Sequence, residues 1–138
     1  MKYLNKDDLI TFIQQRLLDE SLQLEDSILD QIEEQAIDLT VSYIAGRYDA
    51  GKIFGNPPIR NGVLVQVLSM IVVYRAVRRN AARKVPEDYT NIYNDATRLL
   101  EKIQSGSQHL ENIPAITAPD GSTGKLMYGN NTNKDYFI

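Results

Sequence analysis

The sequence of 138 residues contains no cysteine, no tryptophan and a single histidine, His109. Without cysteine the chain has no disulfides, no thiolate zinc site and no cysteine nucleophile. One imidazole is too few for the usual transition-metal sites, which combine several nitrogen or sulfur ligands. We therefore expect neither a metal nor a cofactor.

Long apolar runs are missing too. The longest covers Val63 to Val77 and is interrupted by Gln66, Ser69 and Arg75. It is shorter than the stretch of about eighteen apolar residues that a membrane span requires. The first residues, MKYLNKDDL, have no apolar run after the lysine, so we expect no secretory signal and no membrane partner. Synthesis in a reducing cytoplasm is the corresponding expectation.

Catalytic motifs are equally scarce. His109 stands in a polar segment near Glu111, whereas a general base needs a nucleophile or carboxylate placed by a rigid element. There is no G-x-S-x-G elbow, and Gly51 and Gly55 lack the spacing of a phosphate-binding loop. We expect no catalytic residue and a protein that is not an enzyme.

What the sequence does contain is helical periodicity, with apolar residues recurring in steps of three and four. The third helical segment is apolar nearly all round, which predicts that other helices surround it. The predicted helices are Asn5 to Leu18, a helix from Glu25 or Asp26 to about Gly46, Asn61 to Ala82, and Pro86 to Gln104. Residues 19–23 are predicted to form a turn, and residues 49–60 a structured loop pinned to the core by Ile53 and Phe54.

The length allows a single core, and the last periodic segment ends at Gly106. The sequence therefore predicts an all-α fold, a small four-helix bundle over residues 1–106 with a long, extended, mostly irregular C-terminal tail over residues 107–138. That tail contains the polar run APDGSTGK and ends in three large apolar residues. A tail of this length is flexible or is ordered by a partner, and its apolar end favours the partner.

Charge is segregated along a chain whose net charge is −3. Residues 19–38 hold eight acidic and no basic side chains, and residues 75–84 hold five basic and no acidic ones. These clusters could compensate helix dipoles, bind DNA, or meet on neighbouring copies of the chain. The negative net charge disfavours DNA. The candidates for inter-subunit or channel contacts are Arg75, Arg78, Arg79, Arg83, Glu33, Glu34 and Asp38.

Several segments resemble the Mu-type head-completion, or head–tail connector (adaptor), proteins of tailed phages. They are DDLI, IDLTVSYIAGRYDAGKIF, NPPIRNGVL, YRAVRRN and PEDYTNIYNDATRLLEKIQSG, and together they cover about residues 6 to 110. The most specific piece is the run YIAGRY at residues 43–48. The final helix is similar at Asn94, Asp95, Ala96, Leu100, Ile103, Gly106 and Leu110. The chain departs from the pattern in its longer, glycine-containing tail.

The resemblance implies a structural protein of a bacteriophage or prophage, made in the host cytoplasm and placed at the head–tail interface of the virion. It would dock on the portal protein as a ring, usually twelvefold, contacting neighbouring copies and a downstream tail or stopper protein. DNA would pass through its channel without specific binding. The expected contacts to the portal or a neighbour are Leu126, Tyr128, Tyr136, Phe137 and Ile138.

Two alternatives stay open from the residues alone. Arg47 could line the channel or brace the following loop through Asp49, and bracing is favoured. A small helical DNA-binding or regulatory protein that uses the basic cluster from Arg75 to Lys84 is the alternative function.

Overall fold

The computed structural model describes residues 1–22, 26–80 and 85–115. Within these ranges the chain forms six helices and no strand, apart from an isolated antiparallel bridge between Tyr48 and Ala115. The all-α fold predicted from the sequence is thus confirmed. The helices are α1 (Lys6–Leu9), α2 (Gln15–Leu22), α3 (Asp26–Ile44), α4 (Ala50–Ile53), α5 (Gly62–Asn80) and α6 (Glu87–Ser105).

Helix α5 lies at the centre of the bundle and packs against α1, α2, α3 and α6. Its side chains are buried on every side over the middle turns, as predicted for a helix that is apolar nearly all round. Burial of this much apolar surface is the main source of stability in a domain of this size. The buried residues of α5 are Leu64, Val67, Leu68, Ser69, Met70, Ile71, Val72, Val73 and Ala76.

The single first helix predicted over Asn5 to Leu18 is wrong, because the segment forms two helices. The Thr11 hydroxyl donates to the Asp8 carbonyl at 2.8 Å, a local bond that competes with helix continuation. The break resets the helical register, so that Leu18 is fully buried and Leu17 is 40% exposed.

The later helix boundaries lie near the predicted ones. Helix α6 follows Pro86 as its N-cap and ends at Gly106, whose φ of 88° is the left-handed conformation of a helix C-cap. The turn predicted over residues 19–23 is wrong for residues 19–22, which belong to α2. The predicted loop contains the one-turn helix α4, with Ile53 buried and Phe54 half-buried against the core.

Residues 107–115, which the sequence assigns to the tail, pack on the bundle. Leu110 is buried, and its N–H donates to the Tyr48 hydroxyl at 3.0 Å. The Asp49 N–H donates to the Pro114 carbonyl at 2.9 Å. Residues 114 and 115 therefore lie beside Tyr48 and Asp49. Residues 116–138 lie outside the described part of the chain.

Candidate interaction surfaces

An open groove of about 470 Å³ lies between α3, the C-terminal half of α5 and the first turns of α6. Among the described residues that line it, the charged ones are arginines from α5. We term it the basic groove. Its lining residues are Ile28, Gln31, Ile32, Gln35, Tyr74, Arg75, Arg78, Arg79 and Tyr93.

The described contacts of the basic groove involve its two tyrosines and Arg75. The rings of Tyr74 and Tyr93 stack with centroids 4.4 Å apart, which gives the groove an aromatic wall. Arg75 donates through Nη1 to Gln35 Oε1 at 3.2 Å, while its buried Nε has no hydrogen-bond partner among the described residues. Arg78 is exposed and forms no ion pair with any described residue. The exposed guanidinium group of Arg78 can donate hydrogen bonds to a carboxylate from outside the chain.

A row of carboxylates runs along the solvent face of α3. Asp30, Glu34 and Asp38 recur every four residues, so they share one face of the helix, and all three are exposed. We term this row the acidic ridge. Asp30 binds the Met1 amino group at 2.7 Å. Glu34 and Asp38 pair with no cation in the described ranges.

Glu33 differs from these exposed carboxylates. Its carboxylate is buried, and it accepts backbone N–H bonds from Lys2 at 2.8 Å, Tyr3 at 3.1 Å and Leu4 at 2.7 Å. Three hydrogen bonds to one anion compensate the cost of removing it from water. We term Glu33 with residues 1–4 the N-terminal seam. The structure thus corrects the grouping made from the sequence, because Glu33 contacts its own chain whereas Glu34 and Asp38 face solvent.

Arg47 braces the end of α6. Its Nε donates to the Gln104 carbonyl at 2.9 Å and its Nη2 to the Ser105 carbonyl at 3.2 Å, two groups without helical partners. The guanidinium group lies over Gly106, where a Cβ atom would be 2.9 Å from the Arg47 Cζ. The run YIAGRY and the end of the final helix, which carry much of the resemblance, therefore meet in the fold.

The other residues selected from the sequence are placed less informatively. His109 is exposed. Arg83 and the tail residues Leu126, Tyr128, Tyr136, Phe137 and Ile138 lie outside the described residues. Across the described ranges, no group of three or more His, Cys, Asp or Glu side chains is arranged to hold a metal ion. No described helix combines the length and the apolar character needed to cross a membrane.

A family model described as Bacteriophage Mu, Gp36 matches residues 3–127. The match spans all six helices and includes every residue of the basic groove and the acidic ridge. No curated protein and no solved structure matches the chain.

Proposed function

The chain belongs to the bacteriophage Mu Gp36 family and is a phage protein, and from this premise we propose that it is a structural head–tail connector. In this role it docks as a ring on the portal vertex, contacts neighbouring copies and a downstream tail or stopper protein, and extends the DNA channel. It acts in the virion and carries out no catalysis.

The observation that carries this proposal is the separation of charged surfaces on one small body. The acidic ridge and the basic groove occupy different faces of α3. Glu34 and Asp38 on the ridge and Arg78 in the groove form no ion pair with a described residue. A protein that presents two complementary surfaces in different directions joins to its copies head to tail. Such contacts close into a ring when the rotation between copies permits it.

The C-terminal segment is the proposed attachment to the portal or to a neighbour. The residues just before this segment are held on the bundle, because Ala115 pairs with Tyr48 and Pro114 accepts the Asp49 N–H. Ordering the following residues costs about 1–2 kcal/mol each in backbone entropy, so apolar anchors are needed. We assign that role to Leu126, Tyr128, Tyr136, Phe137 and Ile138.

Native mass spectrometry of the protein mixed with the portal ring of its own phage tests the connector function. We expect a ladder of bound copies that ends at the symmetry of the portal. A variant that lacks residues 125–138 should bind no portal and keep its melting temperature, because the described core precedes Ala115. Failure of the intact, folded protein to bind would contradict the proposal.

DNA binding is the second candidate, favoured by exposed Arg78 and Arg79 beside the stacked tyrosines. A salt titration separates the two functions. DNA affinity should fall by orders of magnitude between about 50 and 200 mM salt, because each phosphate contact releases counterions. The affinity for the portal, which depends on apolar anchors, should fall far less over the same range of salt.

A further inference from the structure

We propose that the C-terminal segment of the free protein docks in the basic groove of its own chain and leaves the groove when it binds the portal. The occupant is residues 126–138, which lie outside the described part of the chain. This inference rests on the proposed function and adds a regulation to it, because one segment cannot lie in the groove and on the portal at once. The docking itself needs no portal, so it is testable on the protein alone.

The basic groove combines apolar, aromatic and cationic surface in one cavity. Ile28 provides an apolar wall, and the stacked rings of Tyr74 and Tyr93 provide an aromatic one. Arg78 is exposed in the groove, and the buried Nε of Arg75 has no hydrogen-bond partner among the described residues. The matching occupant carries a carboxylate close to aromatic side chains, which stack on tyrosine rings and on guanidinium groups.

The C-terminal segment has this composition in consecutive positions. The carboxylate of Asp135 is followed by Tyr136, Phe137 and Ile138. Successive side chains of an extended chain point to opposite sides, so in that conformation Asp135 and Phe137 enter the groove together and Lys134 points away from the arginines. We assign Asp135 to Arg78 and the Phe137 ring to the tyrosine wall.

The length of the chain before this segment matches the distance to the groove. Ala115 pairs with Tyr48, just beyond the end of α3, whereas the groove residues Ile28 to Gln35 lie in the first half of that helix. At 1.5 Å per residue, the groove lies about 15–25 Å back along α3. Residues 116–134 reach at most about 60 Å when extended, and a flexible chain of this length averages about 25 Å between its ends.

The tether favours the chain's own groove over the groove of another copy. A flexible linker whose average length matches the span gives an effective concentration of the order of millimolar. A second copy in dilute solution is far less concentrated, so the segment of the same chain occupies the groove first. The surface that the groove offers to neighbouring copies is then covered until the portal takes up the segment.

A disulfide within one chain tests the docking, since the sequence contains no cysteine. The test variant carries Gln31→Cys, at an exposed position in the groove, and Asn133→Cys, two residues before Asp135. On mild oxidation of dilute protein we expect a cross-linked monomer, identified by non-reducing electrophoresis and by the loss of both free thiols. Cross-linked dimers in place of monomers would put the segment on another copy and overturn the proposal.

The matched control combines Asn133→Cys with Glu101→Cys. Glu101 is exposed on α6, near the end of that helix that Arg47 contacts and therefore near the start of the segment. A segment without a preferred site reaches this position at least as easily as the groove. We expect cross-linking with Gln31→Cys to be at least tenfold faster than with Glu101→Cys. Equal rates would overturn the proposal.

Charge reversal tests the chemistry of the docking. Adding Arg78→Glu to the test variant should slow its cross-linking about tenfold, because a like charge then faces Asp135. Combining Arg78→Glu with Asp135→Arg should restore the rate. Arg98→Glu, at an exposed position on α6, changes the net charge equally and should alter the rate less than twofold. An unchanged rate with Arg78→Glu, or equal slowing by Arg98→Glu, would contradict the assigned contact.

Native mass spectrometry with the portal ring then tests the regulation. The reduced test variant should bind the portal like the wild type, and the oxidised form should give at least tenfold fewer bound copies until a reductant is added. Oxidised protein that binds the portal as well as the reduced form would overturn the proposed exclusion. Wild-type protein that binds no portal contradicts the connector function, whereas fast cross-linking within the chain still supports docking in the groove.

Discussion

The N-terminal seam and the acidic ridge each contain a glutamate of α3, but the two glutamates lie in opposite environments. Glu33 and Glu34 are adjacent on α3, yet Glu33 accepts three backbone N–H groups in the interior, whereas Glu34 faces solvent and forms no ion pair with a described residue. In the seam, the Tyr3 hydroxyl also donates to the Ile59 carbonyl at 2.9 Å and accepts the Asn61 N–H at 3.0 Å. The polar groups of the seam therefore bond to each other within the fold, whereas Glu34 on the ridge faces solvent.

This contrast separates the charged side chains that stabilise the fold from those that face solvent. A buried carboxylate is tolerated only where donors surround it, and losing those donors leaves an uncompensated charge. An exposed carboxylate keeps its water and adds little to stability, whether or not a cation is near. The comparison predicts large stability effects in the seam and small ones on the ridge and in the groove.

Replacing Glu33 should give the largest effect. The change Glu33→Ala leaves the N–H groups of Lys2, Tyr3 and Leu4 without their acceptor, two of them in buried positions. We expect a loss of about 3 kcal/mol in the free energy of unfolding, since each orphaned buried donor costs about 1–3 kcal/mol. Thermal unfolding followed by circular dichroism should show a Tm lower by about 10 °C.

The matched control is Glu34→Ala, one residue along the same helix. Because Glu34 is exposed and unpaired in the described chain, we expect a change within about 0.5 kcal/mol. Similar losses from both variants would show that the closed seam and the open ridge do not differ energetically.

Much of the fold follows from the sequence because helical periodicity is a local signal. The surrounded helix α5, the glycine that ends α6 and the core contacts of Ile53 and Phe54 were predictable from residue types alone. The division of the first helix was not. It depends on the Thr11 hydroxyl bonding the Asp8 carbonyl and on burial of Leu18, which only the packed bundle decides.

The candidate surfaces were predictable only in part, for a related reason. Sequence counts identified the acidic and basic clusters, and Arg75, Arg78 and Arg79 do line one groove. They could not separate Glu33 from Glu34, because the partners of Glu33 are backbone amides about thirty residues away and leave no pattern in the sequence. Whether a charged side chain stabilises the fold or faces solvent depends on its burial and on backbone donors that are distant in the sequence.

Two arginines extend the comparison with a smaller expected effect. Arg47 donates to two carbonyls at the end of α6, whereas Arg78 is exposed in the groove. Arg47→Ala should lower the free energy of unfolding by about 1.5 kcal/mol through the lost hydrogen bonds. Arg78→Ala should change it by less than about 0.5 kcal/mol. Chemical denaturation of both variants measures the difference, and equal values would contradict it.

The glycine beneath Arg47 sharpens that test. Gly106→Ala should destabilise the protein because of the positive φ and because the new Cβ meets the Arg47 guanidinium group. In the Arg47→Ala background, only the cost of the positive φ remains. The double variant should therefore lose less than the sum of the two single losses, by about 0.5 kcal/mol or more. Simple additivity would mean that the guanidinium group is not held over Gly106.

The last comparison concerns the Tyr3 hydroxyl and its response to pH. Tyr3→Phe removes both hydrogen bonds of this group, and we expect a loss of about 1 kcal/mol near pH 7. Tyr74→Phe is the control in the groove, because the Tyr74 hydroxyl has no bond to a described residue. That control should be neutral near pH 7, since the ring stacking is kept.

Burial raises the pKa of the Tyr3 hydroxyl above its ordinary value of 10.0, although the Asn61 N–H and the charge of Arg60 oppose the shift. Above pH 10 the unfolded chain therefore loses this proton before the folded chain does, so the stabilisation present at lower pH is lost as pH rises. The variant Tyr3→Phe lacks this pH-dependent stabilisation. The difference in Tm between wild type and Tyr3→Phe should accordingly narrow from pH 10 to pH 11 in a series of thermal melts. A constant difference would mean that the Tyr3 hydroxyl ionises as readily in the seam as in water, and would contradict the prediction.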